Sequence, residues 1–364
     1  MAVRFLCFCF FWTLAYTVHA ADFRVTFINP GGSDGFWGEV SKTMSAAAAD
    51  LNIELEILNA DRQPYGMETQ LQQRLDRGDL PDYFVLVNEY QAGGRLLQLL
   101  DGTPSKVLFL LNNLTRKQQD ILEMRRIDLR KIVASIVPDN ETAGYQLALS
   151  LFEAARALHP HHDKIRLLAL TGDTSTPAAL LRETGMQRAV ADNPDVDLVH
   201  AIPVNWNEDL AYRRAKDVLE RTPVHAVWGA NDAIAFGARR AAMESGLAVG
   251  DDVVFAGLNW SKRAMDAVQR KEMIMSHGGH FFAGAWAIVL LRDHFFRVSK
   301  GEVHVDVRFK MSPITLENVE LYLESLGDGN WDKIDYSQFC KTRTGRSNYD
   351  FSAEAILNAA GAQR

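Results

Sequence analysis

The stretch from Val224 to Trp260 constrains the fold of this chain more than any other. A short apolar run, Val224–Trp228, is followed by a polar break and then by a segment with helical spacing, Ala233–Glu244. A second apolar run, Val253–Leu258, completes the stretch. Gly246 follows the helical segment, where a left-handed residue often ends a helix. This order predicts a strand–helix–strand unit of a parallel sheet.

Polar residues follow both strands of this unit, namely Asn231 and Asp232 after the first and Asn259 and Trp260 after the second. Ligands of open parallel sheets bind at the carboxyl ends of the strands, so we expect these four residues to face one crevice. Asn231 and Asp232 could instead serve only to cap the helix that follows them.

Two adjacent aromatic residues, Phe36 and Trp37, lie in the turn after the first apolar strand, Phe23–Asn29. Neighbouring side chains point in different directions, so burial against the sheet explains only one of them, and we expect the other to line the crevice. The glycines of this turn match neither the dinucleotide-binding spacing nor the P-loop, which disfavours a nucleotide site.

The same alternation of strands and helices runs along most of the chain in two consecutive series. Asp61, Glu89 and Asn113 follow strands of the first series, although each is equally suited to a turn. The second series carries Arg182 on a helix and Trp206 after a strand. The predicted fold class is therefore α/β, with two doubly wound parallel-sheet lobes joined by a three-crossover hinge.

The series also predict the domain bounds. The glycine pair after His277 interrupts the second series, and the apolar helix Phe281–Val298 is expected to pack on the first lobe. The predicted domains are a signal peptide at 1–20, an N-terminal lobe at 21–137 and 278–310, a C-terminal lobe at 138–277 and 311–326, and a C-terminal extension at 327–364.

The N-terminus predicts export. A positive segment, Met1–Arg4, precedes the apolar segment Phe5–Val18, and Ala20 ends a small-x-small cleavage site. We expect cleavage near Ala20 and a soluble periplasmic protein, with an uncleaved anchor as the alternative. Cys340 is then the one remaining cysteine, so no intrachain disulfide is expected. The net charge of −7 disfavours a nucleic-acid partner.

Histidines cluster in the segment His159-Pro160-His161-His162. Pro160 prevents a helical arrangement of ligands, and the spacing suits a flexible loop better than a metal site. We therefore expect neither a metal nor a cofactor.

The order of Phe36-Trp37, Asp61, Asn113, Arg182 and the later strand ends resembles the type I periplasmic binding proteins, the ribose and galactose binders. The nearest branch is that of the autoinducer-2 receptor of quorum sensing. The resemblance implies that the aromatic turn stacks on a ligand and that Arg182 and Asn231 hydrogen-bond its hydroxyls. This chain departs from the family at Asn259-Trp260, where sugar binders carry an aspartate, and at His277, where they carry glutamine or arginine.

We therefore expect a binding protein that captures a sugar or sugar-like metabolite and presents it to the permease of an ABC importer. The alternative is a sensor subunit acting on a membrane signalling protein; a monomer is expected in either case. No nucleophile elbow or paired-carboxylate motif favours an enzyme, and the signal peptide stands where a transcription regulator needs a helix-turn-helix. The expected ligand contacts are Phe36, Trp37, Asp61, Glu89, Asn113, Arg182, Trp206, Asn231, Asp232, Asn259, Trp260 and His277.

Within this set, Trp37, Trp206 and Trp260 are expected to sandwich the ligand between aromatic faces. Arg182, Asn231 and Asn113 would fix its hydroxyls or carbonyls. His277 is expected at the mouth of the cleft.

Overall fold

The computed structural model describes residues 21–296 and 304–361. The predicted signal peptide lies outside these residues. Within them, no helix combines the length and the apolar character that a membrane crossing requires.

The first sheet has six strands among the described residues, all parallel, in the order β11, β5, β4, β3, β1, β2. Its central strand, β3, is apolar and buried along its whole length, as expected of a parallel strand covered on both faces. The strands are β1 Arg24–Asn29, β2 Glu54–Asn59, β3 Tyr83–Leu86, β4 Lys106–Leu110, β5 Ile132–Pro138 and β11 Val305–Phe309.

The second sheet is built in the same way, with six described strands in the order β12, β10, β9, β8, β6, β7. Its edge strand β12 runs antiparallel to β10, whereas the remaining pairs are parallel. The strands are β6 Ile165–Thr171, β7 Val196–Pro203, β8 Ala226–Gly229, β9 Val254–Leu258, β10 Met275–Gly278 and β12 Ser312–Thr315.

Helices connect the strands and cover both faces of the sheets. In the part of the chain that the structure describes they are α1 Gly35–Asp50, α2 Gly66–Asp76, α3 Gly93–Leu99, α4 Arg116–Met124, α5 Asn140–Leu158, α6 Pro177–Asp192, α7 Glu208–Leu219, α8 Asp232–Glu244, α9 Lys262–Gln269, α10 Ala283–Phe295, α11 Val319–Leu326, α12 Lys341–Thr344 and α13 Ala353–Ala359.

Alternate residues of the first sheet belong to two separate cores. Val85 packs with side chains of α1 and α10, whereas Phe84 and Leu86 pack with side chains of α2 and α3. Successive side chains of a strand point to opposite faces, so a strand that is apolar throughout requires cover on both. The two-lobed α/β fold class is confirmed.

The chain passes between the sheets three times, after β5, after β10 and between β11 and β12. Helix α10, within the stretch predicted as Phe281–Val298, packs against α1, β4 and β5 of the first lobe. A Cβ at Gly284 would lie 2.2 Å from the carbonyl oxygen of Val40, so glycine permits this close helix contact. The exact lobe bounds remain a prediction.

The extension after α11 folds back onto the first lobe. The indole Nε1 of Trp331 donates a hydrogen bond to Glu39 of α1 at 2.9 Å. The ring of Phe351 stacks on Trp286 of α10, with centroids 4.6 Å apart. Cys340 is buried in this region as a free thiol. The extension therefore completes the cover of α1 and α10.

Candidate ligand-binding cleft

A cavity of ≈ 60 Å³ lies between the lobes, at the carboxyl ends of the strands of both sheets. This volume is several times the roughly 10–15 Å³ that one water requires. The first lobe contributes Phe36, Trp37, Arg62, Glu89 and Asn112, and the second contributes Thr176, Ala178, Arg182, Trp206 and Asn231.

Both aromatic residues of the first turn line this cavity. The ring of Phe36 stacks on His280, with centroids 4.5 Å apart, and meets Trp37 edge-on. Trp37 also packs into the core beneath α1. A Cβ at Gly31 would lie 2.5 Å from Cδ1 of Trp37, so the indole needs a glycine in this turn.

Trp206 of the second lobe is held from two sides. Its Nε1 donates a hydrogen bond to Oδ2 of Asp173 at 2.7 Å. A Cβ at Gly172 would lie 2.3 Å from the indole, so the ring packs directly on the backbone there. The guanidinium carbon of Arg182 lies 5.6 Å from the ring centroid, within cation–π range.

Arg182 is the buried cation of the cleft, with an exposed fraction of 4%. Its Nε donates to Oδ1 of Asn140 at 2.8 Å, and its Nη1 donates to the carbonyl of Ala230 at 2.9 Å. Its Nη2 lies 3.1 Å from Nε2 of His280. Burial lowers the pKa of Arg182 to about 10, so the side chain is a cation at neutral pH. A guanidinium has five N–H donors, so some remain for a ligand.

The protonation state of His280 follows from this contact. Nη2 of Arg182 can only donate, so Nε2 of His280 accepts and the ring is neutral with its proton on Nδ1. Burial, followed by the nearby Arg182 charge, lowers the pKa of His280 well below its ordinary value. His280 therefore presents a neutral ring to the cavity.

Helix packing positions Arg182. Helices α5 and α6 cross closely because both carry a glycine at the contact. A Cβ at Gly144 would lie 2.1 Å from the carbonyl oxygen of Arg182, and one at Gly185 would lie 2.0 Å from that of Glu141. The two glycines thus bring the backbone of Arg182 close to α5 and its side chain within reach of Asn140.

Glu89 is a buried carboxylate of the first lobe that lines the cavity, with an exposed fraction of 4%. Nη1 of Arg62 donates to its Oε1 at 3.1 Å. Burial raises the pKa of Glu89 to about 7, although the Arg62 charge acts in the opposite direction. The cleft therefore places an acidic group that titrates near neutrality opposite a permanent cation.

Direct hydrogen bonds join the lobes beside the cavity. Oδ1 of Asn112 accepts from the amide of Ala178 at 2.9 Å, and the amide of Tyr90 donates to Oγ1 of Thr176 at 3.3 Å. These bonds pair residues of the first lobe with the start of α6. The structure is therefore a closed state of the two lobes.

Comparison with known proteins agrees with this architecture. A family model described as a periplasmic binding protein domain matches residues 124–294. The crystal structure of a periplasmic sugar-binding protein from Pseudomonas fluorescens is 34% identical, with a TM-score of 0.82, and the alignment covers 92% of this chain and 99% of that one. This chain belongs to the periplasmic binding proteins.

Two further relatives are more distant. The D-apiose import binding protein of Paraburkholderia graminis is 28% identical over 150 residues, 41% of this chain and 46% of that protein. The match therefore spans about half the length of this curated relative. The binding protein of the arabinose ABC transporter from Shewanella sp. ANA-3 has a TM-score of 0.71 at 18% identity, covering 83% of this chain and 94% of that one, which supports the fold alone.

In this periplasmic binding protein, seven of the twelve residues predicted as ligand contacts line the cavity: Phe36, Trp37, Glu89, Arg182, Trp206, Asn231 and Asn259. The other five lie outside it: Asp61, Asn113, Asp232, Trp260 and His277. Arg62, Asn112 and His280 line it instead, each within three positions of a predicted residue.

Asp61 and Asn113 are displaced by local turn geometry. Asp61 is exposed with a left-handed backbone, and the next residue, Arg62, reaches the cavity. Oδ1 of Asn113 accepts a hydrogen bond from the amide of Leu114 at 2.7 Å, so its side chain is used within its own turn. Asn112 points across the cleft in its place. Sequence alone cannot choose between two adjacent asparagines in a turn.

Asp232 and Trp260 connect strand ends. Oδ1 of Asp232 accepts from Ser276 at 2.8 Å and its Oδ2 accepts from the amide of Ser261 at 2.9 Å. Burial raises the pKa of Asp232 to about 6, against the effect of these hydrogen bonds. Nε1 of Trp260 donates to the carbonyl of Ser312 at 2.8 Å. Trp260 lies outside the lining of the cavity that Trp37 and Trp206 share.

Asp232 and Trp260 line a second, larger cavity of ≈ 340 Å³. Its wall is mostly apolar and shares Phe36 and Asn259 with the polar cavity. The smaller cavity, unlike the larger one, is lined by the buried Arg182 and Glu89, and buried polar groups of this kind orient small molecules in binding sites.

His277 is buried in β10 with an exposed fraction of 1%, not at the mouth of the cleft as expected. Its Nε2 lies 2.9 Å from Oε1 of Gln146. Burial, followed by the Arg182 charge, lowers its pKa to about 4. His280 reaches the cavity because the chain leaves the strand through Gly279, whose φ of 91° is left-handed. No signal in the sequence distinguishes these two histidines.

Proposed function

We propose that this protein captures a sugar or sugar-like metabolite between its lobes and presents it to the permease of an ABC importer. The observation that carries the proposal is the cavity between the lobes, in which aromatic rings and the polar groups of Arg182 and Glu89 face the same small space. Sugars offer C–H faces to aromatic rings and pairs of hydroxyls to planar polar groups. The names of the similar proteins, sugar-binding and import-binding, support the same function.

Within this proposal the contacts divide by chemistry. Phe36, Trp37 and Trp206 pack on the apolar faces of the sugar. Arg182 donates to its hydroxyl oxygens, and Glu89 accepts from its hydroxyl hydrogens when ionised. The amide of Asn231 adds a donor, since its Oδ1 already accepts from Ile234 at 2.8 Å as a helix cap. In this proposal Asn231 has two roles: its Oδ1 caps α8, and its side-chain NH2 group contacts the ligand.

The proposed role is binding without catalysis, by a periplasmic monomer. Glu89 is held by Arg62, and Asp173 accepts bonds from Trp206 and from the amides of Ser175 and Thr176. Both carboxylates thus have partners that suit recognition, and the similar proteins are named as binding proteins.

A thermal-shift screen of pentoses, hexoses and inositols, with D-apiose included, tests the proposal. A ligand present at 100 times its dissociation constant stabilises the native state by about 2.7 kcal/mol, which raises the melting temperature. We expect at least one sugar to raise it for the wild type and not for Arg182→Met. Arg213→Met, at an exposed arginine of α7, is the matched control and should respond like the wild type.

Two outcomes would contradict the proposal. One is that no sugar or polyol of the screen changes the melting temperature at millimolar concentration. The other is that a sugar binds equally well to wild type, Arg182→Met and Trp206→Ala, which would place its site elsewhere.

A further inference from the structure

Two neighbouring histidines of one loop and a third that is distant in sequence converge on the second lobe. His159 ends α5, His162 follows in the next loop, and His225 immediately precedes β8. The ring centroid of His225 lies 4.4 Å from that of His159 and 4.6 Å from that of His162. One nitrogen from each ring lies within 4.8 Å of the other two. The histidine segment predicted as a plain loop thus acquires a third imidazole from another element.

The cluster is separate from the sugar cleft. His225 stands at the amino end of β8, and the loop that holds His162 leads into the amino end of β6. The cleft lies at the carboxyl ends of these strands. A ligand of the histidine cluster would therefore occupy the opposite end of the second sheet.

The environment of the rings suits metal ligation. His225 has an exposed fraction of 5%. Nε2 of His159 lies 3.0 Å from the carbonyl oxygen of Asp252. A carbonyl only accepts, so this contact places the proton on Nε2 and leaves the Nδ1 lone pair free, as in metal sites where a backbone carbonyl orients a histidine ligand.

We propose that His159, His162 and His225 form a binding site for a divalent late transition metal, with Zn²⁺ as its representative. Imidazole nitrogen is a preferred ligand of Zn²⁺, Ni²⁺ and Cu²⁺, and three histidines with a water complete a tetrahedral zinc site. A Zn–N distance of about 2.1 Å separates tetrahedral ligands by about 3.4 Å. The three nitrogens lie within 4.8 Å of one another, so they must approach by at most about 1.4 Å to reach this spacing. The exposed loop at His162 allows such a movement.

One existing hydrogen bond limits the affinity. The amide of Arg166 donates to Nδ1 of His225 at 3.2 Å, which places the proton of the neutral ring on Nε2. Ligation through Nε2 moves that proton to Nδ1 and ends this bond. The site is therefore weaker than a closed structural zinc site, and its occupancy follows the metal concentration.

Zinc titration of the full mature chain, stripped with a chelator and dialysed, tests the proposal. We expect calorimetry to give one zinc per chain and zinc to raise the melting temperature. His162→Ala removes an exposed ligand without opening a core and should weaken zinc binding at least about tenfold. His161→Ala, in the same loop but outside the cluster, is the matched control and should bind like the wild type.

A second readout separates ligation from surface adsorption. Co²⁺ bound by three imidazoles and a water should give the intense visible absorption of a four-coordinate ion in the wild type and in His161→Ala, but not in His162→Ala. His225→Ala should behave like His162→Ala if it folds. The proposal is overturned if the wild type binds no zinc at 100-fold molar excess. It is also overturned if His161→Ala and His162→Ala lose binding equally or retain it equally.

Discussion

The side chain of Asn112, at the end of β4, accepts a hydrogen bond from the backbone amide of Ala178 in the first turn of α6, with 2.9 Å between Oδ1 and N. The bond crosses the cleft, and Ala178 lies four positions from Arg182 on the same helix. The amide of Ala178 belongs to the first turn, where a helix has no partner of its own for its N–H groups. Lobe closure therefore supplies the acceptor that this helix end lacks.

Asn112→Ala should weaken sugar binding by about fivefold to tenfold, because a neutral hydrogen bond of this kind is worth about 1 kcal/mol net. Asn112 also lines the cavity, so the affinity change is compared with a direct measurement of lobe closure. Titration calorimetry with the sugar found in the screen measures the change, and small-angle scattering measures closure directly.

Asn113→Ala is the control for this variant. Its side chain is bonded to the amide of Leu114 within its own turn, so its removal should leave affinity within about twofold of the wild type. Equal losses in both variants would show that the turn as a whole matters and not the Asn112–Ala178 bond.

Arg182→Ala should weaken binding more than Trp206→Ala. The arginine change removes the charge-assisted donors that the proposed site offers to the ligand, and hydrogen bonds to a charged group are worth about 1.5–3 kcal/mol each. A stacked ring contributes only about 0.5–1.5 kcal/mol beyond its buried area. Calorimetric affinities of the two variants for one sugar would decide the order, and a larger loss in Trp206→Ala would contradict it.

The sequence predicts the fold well because the fold depends on repeated patterns. Continuously apolar strands such as Tyr83–Leu86, which is buried throughout, require helices on both faces of the sheet. The order of two strand–helix series then predicts two lobes. These patterns are local, and an error of one or two residues at an element boundary does not change them.

The site is less predictable because each contact depends on one side-chain direction. Asn112 and Asn113 are the same residue type one position apart, and only the turn geometry decides which crosses the cleft. Trp260 follows a strand as Trp206 does, yet it packs over Gly278 and Gly279 of the hinge, where added Cβ atoms would lie 2.8 Å from its ring. The position of the Trp260 ring therefore depends on residues that follow it in the sequence, Gly278, Gly279 and Ser312.

Glu89→Gln should change the pH dependence of stability. Burial raises the folded-state pKa of Glu89 to about 7. At low pH the Glu89 carboxyl is protonated in both the folded and the unfolded state. Because the folded state holds this proton more tightly, folding stability is lost as pH rises from the unfolded pKa, near 4.5, through 7. The loss is on the order of 3 kcal/mol at most, at about 1.4 kcal/mol per unit of pKa.

Urea unfolding of the wild type and Glu89→Gln at pH 4.5 and 8 measures this effect. We expect the variant to gain stability relative to the wild type as pH rises. Glu54→Gln, at an exposed glutamate of β2, is the control and should track the wild type. Parallel pH curves for the wild type and Glu89→Gln would mean that water or a lobe movement solvates this carboxylate.

His277→Gln should change the pH dependence in the acid range, with the opposite sign. Burial lowers the folded-state pKa of His277 to about 4, so the folded protein keeps this ring neutral while the unfolded chain protonates it below about 6.5. Stability is therefore lost as pH falls from about 6.5 towards 4, by an amount on the order of 3 kcal/mol. His280, also buried and neutral, contributes in the same direction.

Glu89 and Asp232, whose pKa values are raised by burial, contribute in the opposite direction over an overlapping range, so the wild-type curve alone cannot isolate one group. The difference between wild type and His277→Gln isolates it. Glutamine keeps a polar group near Gln146, the partner of His277 at 2.9 Å, while removing the titration. We expect the variant to be less stable than the wild type at pH 7.5 and to lose that disadvantage by pH 4.5 in urea unfolding. A constant difference across this range would mean that His277 titrates alike in the folded and unfolded states.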